Sequence, residues 1–107
     1  MILKGTIASN NKKKIIGIVS IILDVNINNF KKGEILVTKS TNPNFLPLMT
    51  QAKAIITETG GLLSHAAIVS REFGIPCIVG VKDITKKLKT GDKIELDLIN
   101  ATIKIIK

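Results

Sequence analysis

The stretch "TETGGLLSHAAIVSREFGIPCIVGV", Thr57 to Val81, constrains this chain more than any other. Gly60-Gly61 breaks the aliphatic run before it, and Gly74 with Pro76 ends the segment after it. Between the breaks lie residues that favour a helix. Ser64 suits the N-cap, because its hydroxyl can accept from an unpaired amide of the first turn. Ala66, Ala67, Ile68, Val69 and Phe73 supply a stripe expected to face a core. The flanking runs "AKAIITE" and "PCIVGV" are short and aliphatic, so a strand is expected on either side.

The remaining sequence adds strands. Residues Lys14 to Val25, "KIIGIVSIILDV", carry β-branched residues on both alternations, which predicts a strand buried on two faces or bending across a barrel-like sheet. Lys32-Gly33 reads as a turn feeding a strand over Glu34 to Thr38, and Pro43 and Pro47 bracket a loop with a short helical turn. Near the end, Ile94, Leu96 and Leu98 alternate, the chain turns near Asn100, and Ile103 and Ile105 continue, giving a closing hairpin. The expectation is a mixed α/β fold of several short strands and two or three helices. At 107 residues it fits one compact domain, residues 1–107.

His65 is the only histidine, and it falls in the first helical turn directly after the glycine loop. Amides at a helix start lack intrahelical partners, and the helix dipole adds positive charge there. A glycine turn lets the backbone approach an anion closely, although no Lys-Ser or Lys-Thr pair follows as in a nucleotide-binding P-loop. Neutral imidazole is a nucleophile, and the positive helix end both favours the neutral ring and stabilises a transferred phosphoryl dianion. Ser64 and the neighbouring amides are suited to donate to phosphoryl oxygens, and Thr57 or Thr59 to orient the loop or the ring. The residues alone leave two readings open, a phosphorylated histidine and a structural histidine beside an ordinary turn. No Cys, His or Asp cluster at ligand spacing accompanies His65, so no metal site is expected.

The formal charge of +8 invites a nucleic-acid reading. Against it, fifteen of the sixteen cations are Lys, spread in groups such as Lys12-Lys13-Lys14 and Lys86-Lys87, and aromatic residues make up only 3%. Such a surface lacks the stacking platforms of single-strand binders, so nucleic acid is not the expected partner. Cys77 stands alone and cannot form an internal disulfide, and no apolar run approaches the roughly 18 residues of a membrane span. The expected setting is cytoplasmic, without a membrane partner.

Over these same residues the sequence resembles the phosphohistidine, or swivelling, mobile domain of phosphoenolpyruvate-utilising enzymes. That group includes phosphoenolpyruvate synthase, pyruvate phosphate dikinase, enzyme I of the sugar phosphotransferase system and rifampicin phosphotransferase. The family pattern, roughly T-x-x-G-G-x-x-S/C-H-A-A-I-V-A-R-E-x-G-I-P-A-V-V-G, is met at Thr57, Gly60, Gly61, Ser64, His65 through Val69, Arg71, Glu72, Gly74 through Pro76, Val79 and Gly80. A weaker likeness covers "KKGEILVTKSTNPNFLPLMTQAKAIIT", with Thr41 and Pro43 at matching positions, and "TGDKIELDL".

The resemblance implies a compact swivelling β/β/α fold with His65 phosphorylated on an imidazole nitrogen. It implies that Gly60-Gly61 shapes the site, that Ser64 supports the phosphoryl group, and that Thr41 lies in a nearby loop against the histidine. It further implies a courier that accepts a phosphoryl group from an ATP-grasp-like nucleotide-binding partner or a TIM-barrel phosphoenolpyruvate site and passes it on. No cofactor is then expected on this chain alone, and Mg²⁺ with ATP or phosphoenolpyruvate is expected on partner domains. Such a chain is a phosphotransferase component, incomplete without those partners. The alternative is a binding or regulatory module that keeps the fold without transfer. Three departures from the pattern involve four positions: Leu62-Leu63 stand where several members carry Arg-Thr, Asn44 where an acidic residue is common, and Cys77 where Ala is frequent. Arg71 and Glu72 are expected to make structural or interdomain contacts, and a 3.6-residue period places Glu72, but not Arg71, near the His65 face.

Overall fold

The computed structural model describes residues 2–106. Its strands are β1 (Ile2–Lys4), β2 (Thr6–Ser9), β3 (Lys14–Ile21), β4 (Ile35–Thr38), β5 (Ala54–Thr57), β6 (Cys77–Val79), β7 (Lys93–Asp97) and β8 (Thr102–Ile106). Its helices are α1 (Leu46–Met49), preceded by a 3-10 turn over Pro43–Phe45, then α2 (His65–Phe73) and α3 (Ile84–Lys87). The strands form one sheet in the order β1-β8-β7-β3-β4-β5-β6-β2.

The long strand β3 explains why both of its alternations are aliphatic. Its first part, Lys14 to Ile18, pairs antiparallel with β7, and its last part, Val19 to Ile21, pairs parallel with β4. One strand therefore belongs to two sheet layers, an antiparallel layer (β1, β8, β7) and a mostly parallel one (β4, β5, β6, with β2 antiparallel at its edge). Between the layers lies a core of Leu3, Ile15, Val19, Ile94, Leu96 and Ile103 against Ile35, Val37, Ile56 and Ile78, closed by Ile84 and Leu88. The opposite face of the parallel strands, Leu36, Ile55, Cys77 and Val79, is covered by Ala66 and Ala67 of α2 and by Phe45 and Met49. This is the β/β/α arrangement that the resemblance implies. Each large aliphatic side chain taken fully from water contributes about 1.5–3 kcal/mol before conformational entropy is subtracted.

The two ends of the sheet meet at Gly5, between β1 and β2. A Cβ there would lie 2.5 Å from Val81 Cγ2 and 2.7 Å from the Val79 carbonyl oxygen. Only a residue without a side chain lets the chain cross from one layer to the other so close to β6.

Three expectations need correction. The strand expected from Lys14 to Val25 ends at Ile21. Beyond it, Asp24 accepts from the Asn26 amide and Asn28 from the Phe30 amide, so local side chains capture backbone groups that a longer ladder would need. The stripe expected to bury Ile68 and Phe73 is instead turned outward, with these residues 47% and 53% exposed. Helix α2 packs through Ala66, Ala67 and Ser70, whose small side chains let its backbone come close to the sheet. Strands β1 and β2 have no counterpart among the expected elements. The closing hairpin forms as expected, with the Asp97 carboxylate accepting from the Ile99 and Asn100 amides at its turn.

Candidate functional site

The parallel strands β4 and β5 end side by side at Thr38 and Thr57, and the segments leaving them converge on the start of α2. From β4 the chain runs through Lys39 and Ser40 to Thr41. From β5 it runs through Glu58 and Thr59 into the glycine loop.

The loop is stitched to its neighbours by short-range and cross-strand hydrogen bonds. The buried Thr57 donates its hydroxyl to the Thr59 carbonyl at 2.8 Å, and its own carbonyl accepts from Val81. Thr59 donates both its amide and its hydroxyl to the Lys39 carbonyl, each at 3.0 Å, which joins the two converging segments. Gly60 has φ +98°, and a Cβ there would sit 2.8 Å from Ser64 Cβ. The left-handed turn and the close approach both require glycine. Ser64 then caps α2: its hydroxyl accepts from the Ala67 amide and donates to the Gly61 carbonyl at 2.8 Å. Thr57 and Thr59 thus bond to loop backbone, and the Ser64 hydroxyl is used within the helix cap.

His65 opens α2 and is half-buried. Its Nδ1 lies 2.7 Å from the Thr41 hydroxyl, brought there from the other segment. Among the described residues this is the ring's hydrogen bond, so Nε2 remains as the nitrogen available to a reactant. The amides of His65 and Ala66 belong to the first turn, where no intrahelical carbonyl reaches them. A nucleophilic nitrogen and a positive helix end therefore stand together. Among the described residues no three His, Cys, Asp or Glu side chains gather into a metal-holding group.

Two further residues bear on the loop. Glu58 accepts from the amide and the hydroxyl of Thr85 at the start of α3, whose own cap residue Asp83 makes no side-chain cap bond. Sequence reasoning did not single out Glu58, and no local pattern points to a partner 27 positions away. Arg71 reaches back to the loop, donating to the Leu62 carbonyl, whereas Glu72 is exposed on the helix surface. Asn44 is exposed, and the turn it occupies is capped by Asn42, which accepts from the Asn44 amide at 2.9 Å. Cys77 is buried in β6, and that burial pushes its thiol up to about 11, outweighing the opposite pull of Ser70 and Arg71.

A β/β/α sheet body with a lone imidazole at a helix start, behind a glycine loop, defines a class of candidate histidine-nucleophile domains. The sequence matches the family described as the mobile domain of PEP-utilising enzymes over residues 30–100, and the chain belongs to that family. It is 56% identical over 82 residues to a probable phosphoenolpyruvate synthase of Pyrococcus horikoshii and, equally, to a phosphoenolpyruvate synthase of Pyrococcus furiosus. Each alignment covers 76% of this chain and 10% of the relative. An uncharacterised phosphotransferase of Bacillus subtilis is 46% identical over 91 residues, covering 84% of this chain and 11% of its own length. The chain thus spans about a tenth of the length of these relatives.

Solved structures share the fold. A solution structure of Enzyme I aligns with TM-score 0.61 and 23% identity, over 72% of this chain and 32% of that one. The holo-form of aconitase X from Thermococcus kodakaraensis aligns with TM-score 0.69 and 20% identity, over 100% of this chain and 99% of that one. At these identities the likeness is one of fold, and differently named proteins carry it. Function has to be argued from the site.

Proposed function

We propose that this chain is a phosphohistidine carrier: His65 accepts a phosphoryl group from an ATP- or phosphoenolpyruvate-binding partner domain and delivers it to an acceptor. The observation that carries the reading is the Thr41–His65 contact at 2.7 Å, which occupies Nδ1 and leaves Nε2 free at the N-terminus of α2. With the proton on Nδ1 and donated to the Thr41 oxygen, the lone pair resides on Nε2.

In the forward step Nε2 attacks phosphorus, the phosphorus–nitrogen bond forms, and the phosphorus–oxygen bond to the donor breaks, its electrons leaving with the donor oxygen. The ring then shares positive charge between its nitrogens, and the Thr41 oxygen, accepting from Nδ1–H, stabilises it. The transferred oxygens face the amides of His65 and Ala66 and the positive end of α2. Delivery reverses the bonds, with an acceptor oxygen attacking phosphorus and Nε2 leaving. Magnesium, expected with the donor on partner domains, would screen the charge of the moving group there. The whole cycle needs donor and acceptor sites beyond this chain, consistent with the much greater length of its relatives.

The test is the intact mass of the chain after incubation with Mg²⁺ and ATP, or with phosphoenolpyruvate, in a lysate of its source, followed by mild acid. An acid-labile phosphoryl adduct that is missing in His65→Ala is expected. If no adduct forms in a lysate that labels a known histidine carrier, the carrier reading fails and the chain is a binding or regulatory module that keeps the fold.

A further inference from the structure

The exit of the glycine loop has little packing to hold it. Leu62 and Leu63 are 51% and 87% exposed, and a Cβ on Gly61 would meet nothing within 4 Å. What holds this stretch is hydrogen bonding. Ser64 grips the Gly61 carbonyl, and Arg71, the only arginine in the chain, grips the next one. Its Nη2 donates to the Leu62 carbonyl at 2.6 Å while its Nη1 donates to the Ala8 carbonyl of β2 at 3.2 Å. A single side chain on α2 thereby ties together the helix that carries His65, the loop that leads into it and the edge strand beneath.

We infer that Arg71 is a positioning residue for phosphoryl transfer at His65, acting through this two-pronged grip and not through its charge. The inference rests on the carrier reading given above. Residue 71 is six positions beyond His65, about 240° around the helix, so the guanidinium leaves on a different side from the ring. Two of its donors are already committed to carbonyls. A planar guanidinium can donate to two acceptors at fixed angles, whereas a lysine ammonium is a point charge on a flexible stem and does not reproduce that geometry. Release of the grip frees the Leu62 carbonyl and lets the first turn of α2 shift, which loosens the Thr41 contact that fixes the ring. A displacement on the scale of 1 Å is enough to slow a positioned reaction by one or two orders of magnitude.

With one histidine in the chain, a long-range ¹H–¹⁵N spectrum shows a single imidazole, whose two nitrogen resonances report tautomer and hydrogen bonding. Spectra of the wild type, Arg71→Lys and Arg71→Met are compared, together with the rate of labelling by the lysate donor and by phosphoramidate, a small phosphoryl donor that needs no partner. Both variants are expected to shift the Nδ1 resonance and to slow donor-delivered labelling about tenfold, while phosphoramidate still labels His65. Wild-type rate and ring resonances in Arg71→Lys would overturn the inference in favour of a charge effect, and unchanged behaviour in both variants would overturn it outright. If the wild type takes no label from either donor, the carrier reading fails by itself. The ring resonances then decide the positioning role alone, a shift supporting it and no shift removing it.

Discussion

The antiparallel layer and the site end of the parallel layer are built in different ways. In β1, β8 and β7 the chain is held by backbone ladders and by apolar side chains such as Leu3, Ile94, Leu96 and Ile103. At the ends of β4 and β5 it is held by side chains that bond to backbone: Thr57, Thr59, Ser64, Glu58 and Arg71. Burial is non-directional and tolerates small shifts, whereas a hydrogen bond weakens steeply once its angle is lost. The first region supplies stability, and the second spends polar groups on fixing where one imidazole and one hydroxyl meet.

Substitutions can set these two roles against each other. Leu96→Ala empties a fully buried position between the layers and is expected to destabilise by about 2–5 kcal/mol in denaturant melts, while folded molecules label at the wild-type rate. A lowered rate per folded molecule would break the division. Cys77 gives the next effect. Its folded-state pKa of about 11 exceeds the ordinary 9.0, so its contribution is fully present below pH 9 and is lost as pH rises toward 11. The loss amounts to about 3 kcal/mol. Cys77→Ala should flatten this alkaline limb, which thermal melts across pH 8 to 11 would register. The smallest change is Thr41→Val, which keeps the shape and removes the Nδ1 partner. It is expected to slow labelling about tenfold, roughly 1.4 kcal/mol in the barrier, and to leave the melting temperature within a few degrees. A large fall in stability with an unchanged rate would reverse the assignment of Thr41.

How much of this was legible in the sequence follows from the range of each signal. The limits of α2 were readable because caps are local: Ser64 and Gly74 act on residues within one turn of themselves. The glycine loop and its histidine were readable for the same reason, and the Thr41 neighbourhood came through the resemblance. Strands β1 and β2 were missed because each is four residues or fewer and pairs far along the chain, Ile2 with Lys104 and Thr6 with Val79. The outward turn of Ile68 and Phe73 was missed because periodicity gives a stripe but not the size of the side chains that the sheet admits. The grip of Arg71 was out of reach because one of its acceptors, Ala8, lies 63 positions away and presents only a backbone carbonyl.

The division of β3 between two layers also governs how the molecule comes apart. A strand that pairs with β7 over residues 14–18 and with β4 over residues 19–21 makes one continuous backbone the seam of both layers. The body that carries His65 is therefore joined to the antiparallel layer through a strand that both share. The slowest-exchanging amides of the two layers should open at a common free energy, in a single cooperative event that β3 controls.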